Sequence, residues 1–239
     1  MHRAFSLLAG IAVAASAAES AAQQQFVAKP LDWEAFVNLD AMVFTDQLAD
    51  AVTALPQPEK EKEVERLREF LKHREVEVRR RAALTLGKLG DKSGASVMIE
   101  AFPKTAGRDR DNVVVALRIL KDPKAIPLLR ETLKDPSPYV RCIAVAALGE
   151  MKASEAYDQI VALTTDKGAQ QGCLPMAPGH LACYALGALG DKKAVPVLIE
   201  RLRDKDFENQ AQQALEKLTD QKLGNDPERW TVWWKMQNR

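Results

Sequence analysis

Leu86-Gly87-Lys88-Leu89-Gly90-Asp91-Lys92 returns one hundred residues later as Leu186-Gly187-Ala188-Leu189-Gly190-Asp191-Lys192, and each is followed by an apolar run ending in Ile-Glu. With Gly87 as anchor, the equivalent positions are Arg118, Gly149, Gly187 and Glu216, at steps of 31, 31, 38 and 29 residues. A recurrence of this length marks a solenoid, in which one small unit stacks on copies of itself. Three apolar columns carry the register. The first is Ala82, Val113, Ala144, Ala182 and Ala211; four residues on come Leu86, Leu117, Leu148, Leu186 and Leu215; three further come Leu89, Leu120, Met151, Leu189 and Leu218. Spacings of four and three put all three columns on one helix face. A single helix pair cannot bury such a face, whereas stacked pairs can. The expected fold is all-α, a superhelix of about five helix pairs.

Two polar columns accompany the apolar ones. Arg79, Arg110 and Arg141 open the first three copies, and Asp91, Asp122, Asp191 and Asp220 follow the helix in four of the five. Residues 59–72 carry Val64, Leu67, Phe70 and Leu71 at helical spacing and read as the outer helix of the first unit. Residues 75–89 read as its partner, ended by Gly90 in a left-handed cap. Short links force neighbouring helices antiparallel.

The run Val140-Arg141-Cys142-Ile143-Ala144-Val145-Ala146-Ala147-Leu148-Gly149 resembles the inner helix of a HEAT repeat. The short, leucine-glycine-rich version is similar to the bacterial HEAT-like, or phycobilisome-lyase-type, repeats, and the likeness covers residues 59–220. It implies the solenoid fold. For function it implies little, because that fold serves scaffolds, adaptors and a few enzymes. It also implies that Arg79, Arg110 and Arg141 face the Asp91 and Asp122 series in an interhelical ladder. Gly179 and Glu208 replace the arginine in the last two copies, so the ladder should stop there.

Both ends depart from the repeat. Met1-His2-Arg3 followed by the apolar stretch 7–18 has the layout of a secretory signal peptide over residues 1–22, with small-x-small cleavage sites at Ala15-Ser16-Ala17 and Ser20-Ala21-Ala22. A periplasmic or secreted chain is the expectation. Residues 23–58, with Trp33, Leu48 and Val52, read as a helical cap over the first repeat. In residues 221–239, Asp226-Pro227 signals a helix start. Trp230, Trp233 and Trp234 then form one stripe, either a seal on the last repeat or a platform for a sugar or peptide.

The 38-residue step adds seven residues between the helices of the fourth copy, within residues 166–179. Glycine and proline exclude regular structure there, and Leu174 and Met176 suit a contact loop on a rigid array, although a tolerated insertion is the alternative. Cys173 and Cys183 could form a disulfide tying this loop down; otherwise Cys142 and Cys183 are buried small hydrophobes.

Reaction chemistry is poorly represented. The histidines are His2, His73 and His180, and the His-Glu pairs with which the HEAT-like deoxyhypusine hydroxylases bind iron are missing: His73 precedes Arg74 and His180 precedes Leu181. No Ser-His-Asp arrangement, phosphate loop or paired-cysteine motif occurs. No metal and no cofactor is expected. His180, beside the inserted loop, reads as a solvated helix-start residue. A formal charge of +1 gives no global attraction to nucleic acid, and Glu75, Glu77, Asp109 and Asp111 interrupt the basic run Arg79-Arg80-Arg81. The expected function is non-catalytic binding of another protein, through a concave helix face carrying Arg80, Thr85, Lys88 and Tyr184 together with the inserted loop and His180. The alternative, implied by the resemblance, is a lyase- or chaperone-like factor that handles a prosthetic group on a partner protein.

Overall fold

The computed structural model describes Trp33, residues 44–168 and residues 176–237. The signal-peptide reading of residues 1–22 lies outside the described residues, as do Cys173 and Leu174. Among the described residues there are twelve α-helices and no strand. The first is α1 (Phe44–Ala54), and five pairs follow. These are α2 (Glu59–Phe70) with α3 (Val76–Lys88), α4 (Gly94–Ala101) with α5 (Gly107–Leu120), and α6 (Ile126–Thr132) with α7 (Pro138–Glu150). Then come α8 (Tyr157–Leu163) with α9 (Pro178–Leu189) and α10 (Val195–Arg201) with α11 (Glu208–Thr219), and α12 (Pro227–Gln237) closes the series.

The odd-numbered helices from α3 to α11 stack directly on one another as the inner layer, and each even-numbered helix from α2 to α10 packs on its own partner as the outer layer. The alanine-valine column and the first leucine column are wholly buried between them. The third column is only half-buried, apart from Leu120 and Leu218.

The anchor column sets how closely the inner helices approach. A Cβ on Gly149 would stand 2.8 Å from both Cα and Cβ of Ala185 in α9. One on Gly187 would stand 3.0 Å from Cα of Ala214 in α11. Backbone meets backbone at both places, which only glycine permits. Arg118 occupies the same column in α5 and instead reaches across to Glu150, with Nε 2.8 Å from Oε1.

Three residues past the anchor, Gly90, Lys121, Lys152 and Gly190 end their helices in the left-handed conformation, at φ of 83, 47, 52 and 79°. In the fifth copy the left-handed residue is Asp220, at φ 57°, so α11 runs one residue further. Asp220 is therefore the helix cap and not the equivalent of Asp91.

The polar ladder differs from the expected one. Asp91, Asp122 and Asp191 accept from the backbone N–H of Ser93, Lys124 and Lys193, capping the start of the following outer element. They lie past the C-terminal ends of the inner helices, whereas the arginines stand at the N-terminal ends. Twelve residues of helix separate the two, about 18 Å. The arginines use a second aspartate column at their own end. Arg110 Nε lies 2.7 Å from Asp135 and Arg141 Nε 2.7 Å from Asp166. Arg79 donates to the carbonyls of His73 and Arg74. At Gly179 the arginine is lost but the rung is not: Lys167 takes over, 2.9 Å from Asp204.

Aromatic residues close both ends. Trp33 is buried, stacks on Phe70 at 5.4 Å and lies under the Arg66 guanidinium, while Leu48 and Val52 of α1 are buried beside α3. At the far end Trp230 is wholly buried and its Nε1 donates to Gly224 O at 2.7 Å. Trp233 packs edge-on against it at 5.9 Å. Asp226 starts this helix by accepting from Glu228 N. Of the stripe, Trp230 is out of reach of any ligand, whereas Trp233 and Trp234 are half-buried.

Candidate interaction surface

The inner layer presents its open face away from the outer helices. That face is read best along the column three residues before the anchor: Leu84, Val115, Ala146, Tyr184 and Gln213. Leu84 is nearly buried, the next three are half-buried and Gln213 is exposed. An apolar strip thus runs across α5, α7 and α9. Ile119, one turn along α5 from Val115, is 40% exposed, and Leu181 and Tyr139 flank the strip. Sequence reasoning missed Val115, Ile119 and Ala146, because the second half of α5 and most of α7 are apolar nearly all round and helical spacing alone assigns such residues to the core.

Charge gathers on the N-terminal half of the face. Arg80 pairs with Glu77 through two hydrogen bonds, one of 2.7 Å, and buried Arg81 shares the same carboxylate at 3.1 Å. Burial alone would push Glu77 up, but Arg80 and then Arg81 overcome it and hold the carboxyl below the ordinary range. The same balance operates at Glu150, where burial is outweighed by Arg118 and by Lys121, whose Nζ is 2.9 Å away. Each carboxylate is held by two cations. Lys88, the last residue of α3, is exposed.

Of the residues expected to make contact, Arg80, Lys88 and Tyr184 do share this face. Thr85 does not: it is fully buried, and its hydroxyl donates to Arg81 O at 2.9 Å. Five residues on a helix turn it about 140° from Arg80, toward the neighbouring inner helix. The Arg79-Arg80-Arg81 run is taken up by carbonyls and by Glu77.

The inserted segment is held at its neck. Gly179 N donates to Asp166 O at 3.0 Å, and Asp166 is gripped by Arg141. His180 is not a solvated helix-start residue. Its Nδ1 accepts from Ala177 N at 2.8 Å and its Nε2 donates to Asp206 O at 2.6 Å, which defines the neutral Nε2–H tautomer. The ring rests 5.0 Å from Phe207. The histidine is a structural clasp between α9 and the start of α11. Met176 is half-buried, and its carbonyl accepts from Cys142 Sγ at 3.5 Å. Cys142 and Cys183 are both buried in the inner layer, and burial pushes the free Cys183 thiol up to about 12.

Among the described residues no group of three or more His, Cys, Asp or Glu side chains could hold a metal, and no helix is long and apolar enough to cross a membrane. A cleft of about 200 Å³ opens between Phe102, Arg110, Thr132 and Pro136. Its charge is already compensated, since Arg110 lies over the Phe102 ring at 3.8 Å and pairs with Asp135.

Residues 107–171 match the family model of HEAT repeats, and residues 78–102 and 182–204 match that of the PBS lyase HEAT-like repeat. No curated protein matches the sequence. Among solved structures, a chain from the complex of CpcE and CpcF of phycocyanin lyase from Nostoc sp. PCC7120 is similar, with 26% identity and a TM-score of 0.54. The match covers 66% of this chain and 65% of that one. An engineered protein matches at 17% identity and a TM-score of 0.49, over 79% of this chain and 97% of its own.

Proposed function

We propose that this array of HEAT-like repeats is a non-catalytic scaffold or adaptor that binds another protein on the open face of its inner layer. The observation that carries the reading is Ile119, 40% exposed beside the continuous strip of Val115, Ala146 and Tyr184. A contiguous apolar strip left open to water marks a place that is covered in use. The groups around it are unsuited to covalent chemistry: Cys142 is buried, and Glu77 and Glu150 are held ionised by paired cations. The tethered loop at residues 166–179 supplies a second contact, and the N-terminal signal layout directs the chain to the cell envelope. The test is a photoreactive side chain placed at Ile119, with the exposed Val232 on α12 as control. A discrete protein adduct from envelope fractions at the first position and not the second is expected. Equal labelling at both would remove the assignment of the face.

The similarity to a chain of a phycocyanin lyase complex favours one other reading, in which the same face handles a prosthetic group carried by a partner. Mixing the purified chain with a bilin would decide it: a saturable absorbance shift lost in Tyr184→Glu supports handling of the chromophore, and an unchanged spectrum excludes it.

A further inference from the structure

His180 joins three parts of the chain, and we propose that it is a proton-operated latch. Proton uptake at Nδ1 frees the neck of the inserted segment at Ala177, while α9 stays tied to the link that leads into α11. The residue stands three positions into α9, whose N-cap is Ala177. Its Nδ1 accepts from Ala177 N at 2.8 Å and its Nε2 donates to Asp206 O at 2.6 Å. A neutral imidazole has one donor and one acceptor, and this geometry uses each once. An imidazolium donates from both nitrogens. Its Nε2–H can keep Asp206 O, but its Nδ1–H would point at the Ala177 N–H, donor against donor. The latch therefore opens on one side only. A glutamine at this place in a capping box makes the same reach-back bond and takes no proton. The latch does not depend on which molecule the array binds.

The surroundings decide what a charged ring would meet. It would lie in the first turn of α9, where the helix dipole disfavours a cation. On α9 itself the nearest titratable groups are Cys183 and Tyr184, three and four positions on. The link before α11 brings Asp204, Lys205 and Asp206, and the neck brings Asp166 and Lys167. Lys167 Nζ bridges Asp204 and Asp206 at 2.9 and 2.7 Å. Its hydrogen bond holds the Asp204 carboxyl below the ordinary range. Asp166 pairs with Arg141 of α7 at 2.7 Å, and Lys205 with Glu208 of α11 at 2.7 Å. Each of these carboxylates thus already has a cation beside it. Lys167 Nζ also lies 5.4 Å from the centroid of the Phe207 ring, which stands 5.0 Å from the His180 ring. A charged imidazole would be the second cation at that phenyl ring. His180 is half-buried, so solvent protons reach it.

The readout has to be local, because His73 Nδ1 also accepts a backbone N–H, from Glu75 at 3.1 Å, and a global melt would mix the two. The experiment is amide exchange at Ala177 in the purified full chain, followed by NMR and corrected for the intrinsic pH dependence of exchange. It runs from about pH 7.5 to about 5.5, across the ordinary titration range of imidazole. Protection should fall about threefold to tenfold in the wild-type chain, the loss of one hydrogen bond. It should stay level in His180→Gln, whose side chain can make the capping-box bond throughout. No fall in the wild type, or an equal fall in the variant, overturns the latch. Nitrogen shifts of the His180 ring give a second reading that needs no variant. Nδ1 should be bare at the upper pH and protonated at the lower. A ring that carries its proton on Nδ1 at the upper pH, or stays neutral at both, overturns the proposal. None of these outcomes touches the protein-binding reading of the open face.

Discussion

The same substitution at three equivalent glycines should have three different effects. Exchanging glycine for alanine inside a helix gains about 1 kcal/mol in helix propensity. Against this stands the room left by the neighbouring helix. At Gly149 the added methyl would sit 2.8 Å from Ala185 Cα and Cβ, 0.6 Å short of the 3.4 Å at which ordinary contact begins, and what it meets is largely backbone. Two stacked helices must separate, and overpacking of this kind costs about 1–3 kcal/mol. Gly149→Ala should therefore lose up to about 2 kcal/mol net. Gly187→Ala falls short by 0.4 Å against Ala214 Cα and should lose about 0–1 kcal/mol. At Gly87 the obstacle is the tip of Leu120, also at 2.8 Å. That tip can turn aside, so Gly87→Ala should be neutral or slightly stabilising. Urea unfolding followed by circular dichroism reads all three, and about 1 kcal/mol should appear as a melting shift of roughly 2–4 °C in a chain of this size. Stabilisation by Gly149→Ala, or equal effects at the three sites, would refute the claim that this column sets helix spacing.

Lys152→Gly should raise stability by about 0.5–1 kcal/mol, because the exposed lysine sits at φ 52° where two of the other copies have glycine; a lower melting temperature would count against it. Leu148→Ala, at a fully buried position, should cost about 2–5 kcal/mol, and hydrogen exchange should show faster opening in α5 and α9 as well as α7. Trp230→Ala should cost about 3–5 kcal/mol by unsealing the last repeat, and wild-type-like melting would reduce α12 to an appendage. Acid should weaken the fold. Glu77, Asp91 and Glu150 have depressed folded values, so their contribution is present above the ordinary carboxylate range of about 4 and is lost as pH falls through the folded values. Asp111, raised first by burial and then by Asp135, acts with the opposite sign. A melting series from pH 7 to about 3 should decline on its acid side, less steeply in Glu150→Gln, and an identical slope in that variant would refute the pairing.

The stacked fold was legible because its determinants are repeated side chains of fixed type: the alanine and leucine columns, Gly90 and Gly190 as caps, and Asp226-Pro227 as a helix start. Conformation without a dedicated residue type was not. Lys121 and Lys152 adopt the same left-handed cap as the glycines, yet nothing in a lysine announces it. Asp220 looked like a member of the aspartate column until α11 proved one residue longer. The arginine ladder was assigned to the wrong aspartates because the pairing came from the resemblance, although Arg79 and Asp91 stand twelve residues apart at opposite ends of one helix. Of the residues expected to make contact, Arg80, Lys88 and Tyr184 share the open face, whereas Thr85 is turned into the core by its rotation about α3. The apolar strip stayed hidden because Val115 and Ala146 resemble core residues in any single copy. Reading their column across copies, out to Gln213 at the polar end, is the signal that would have found it.

The alternation in the anchor column also governs shape. Where glycine faces alanine, between α7 and α9 and between α9 and α11, the inner helices can close up while their outer partners keep full-sized side chains between them. Between α5 and α7 the Arg118–Glu150 pair holds the same edge apart. The approach of the inner helices is thus set joint by joint, by glycine against alanine at the two C-terminal joints and by the Arg118–Glu150 pair between α5 and α7. A single residue per repeat, small or long, sets how near two inner helices come, and variants differing only at 118, 149 and 187 should differ in that spacing around one core.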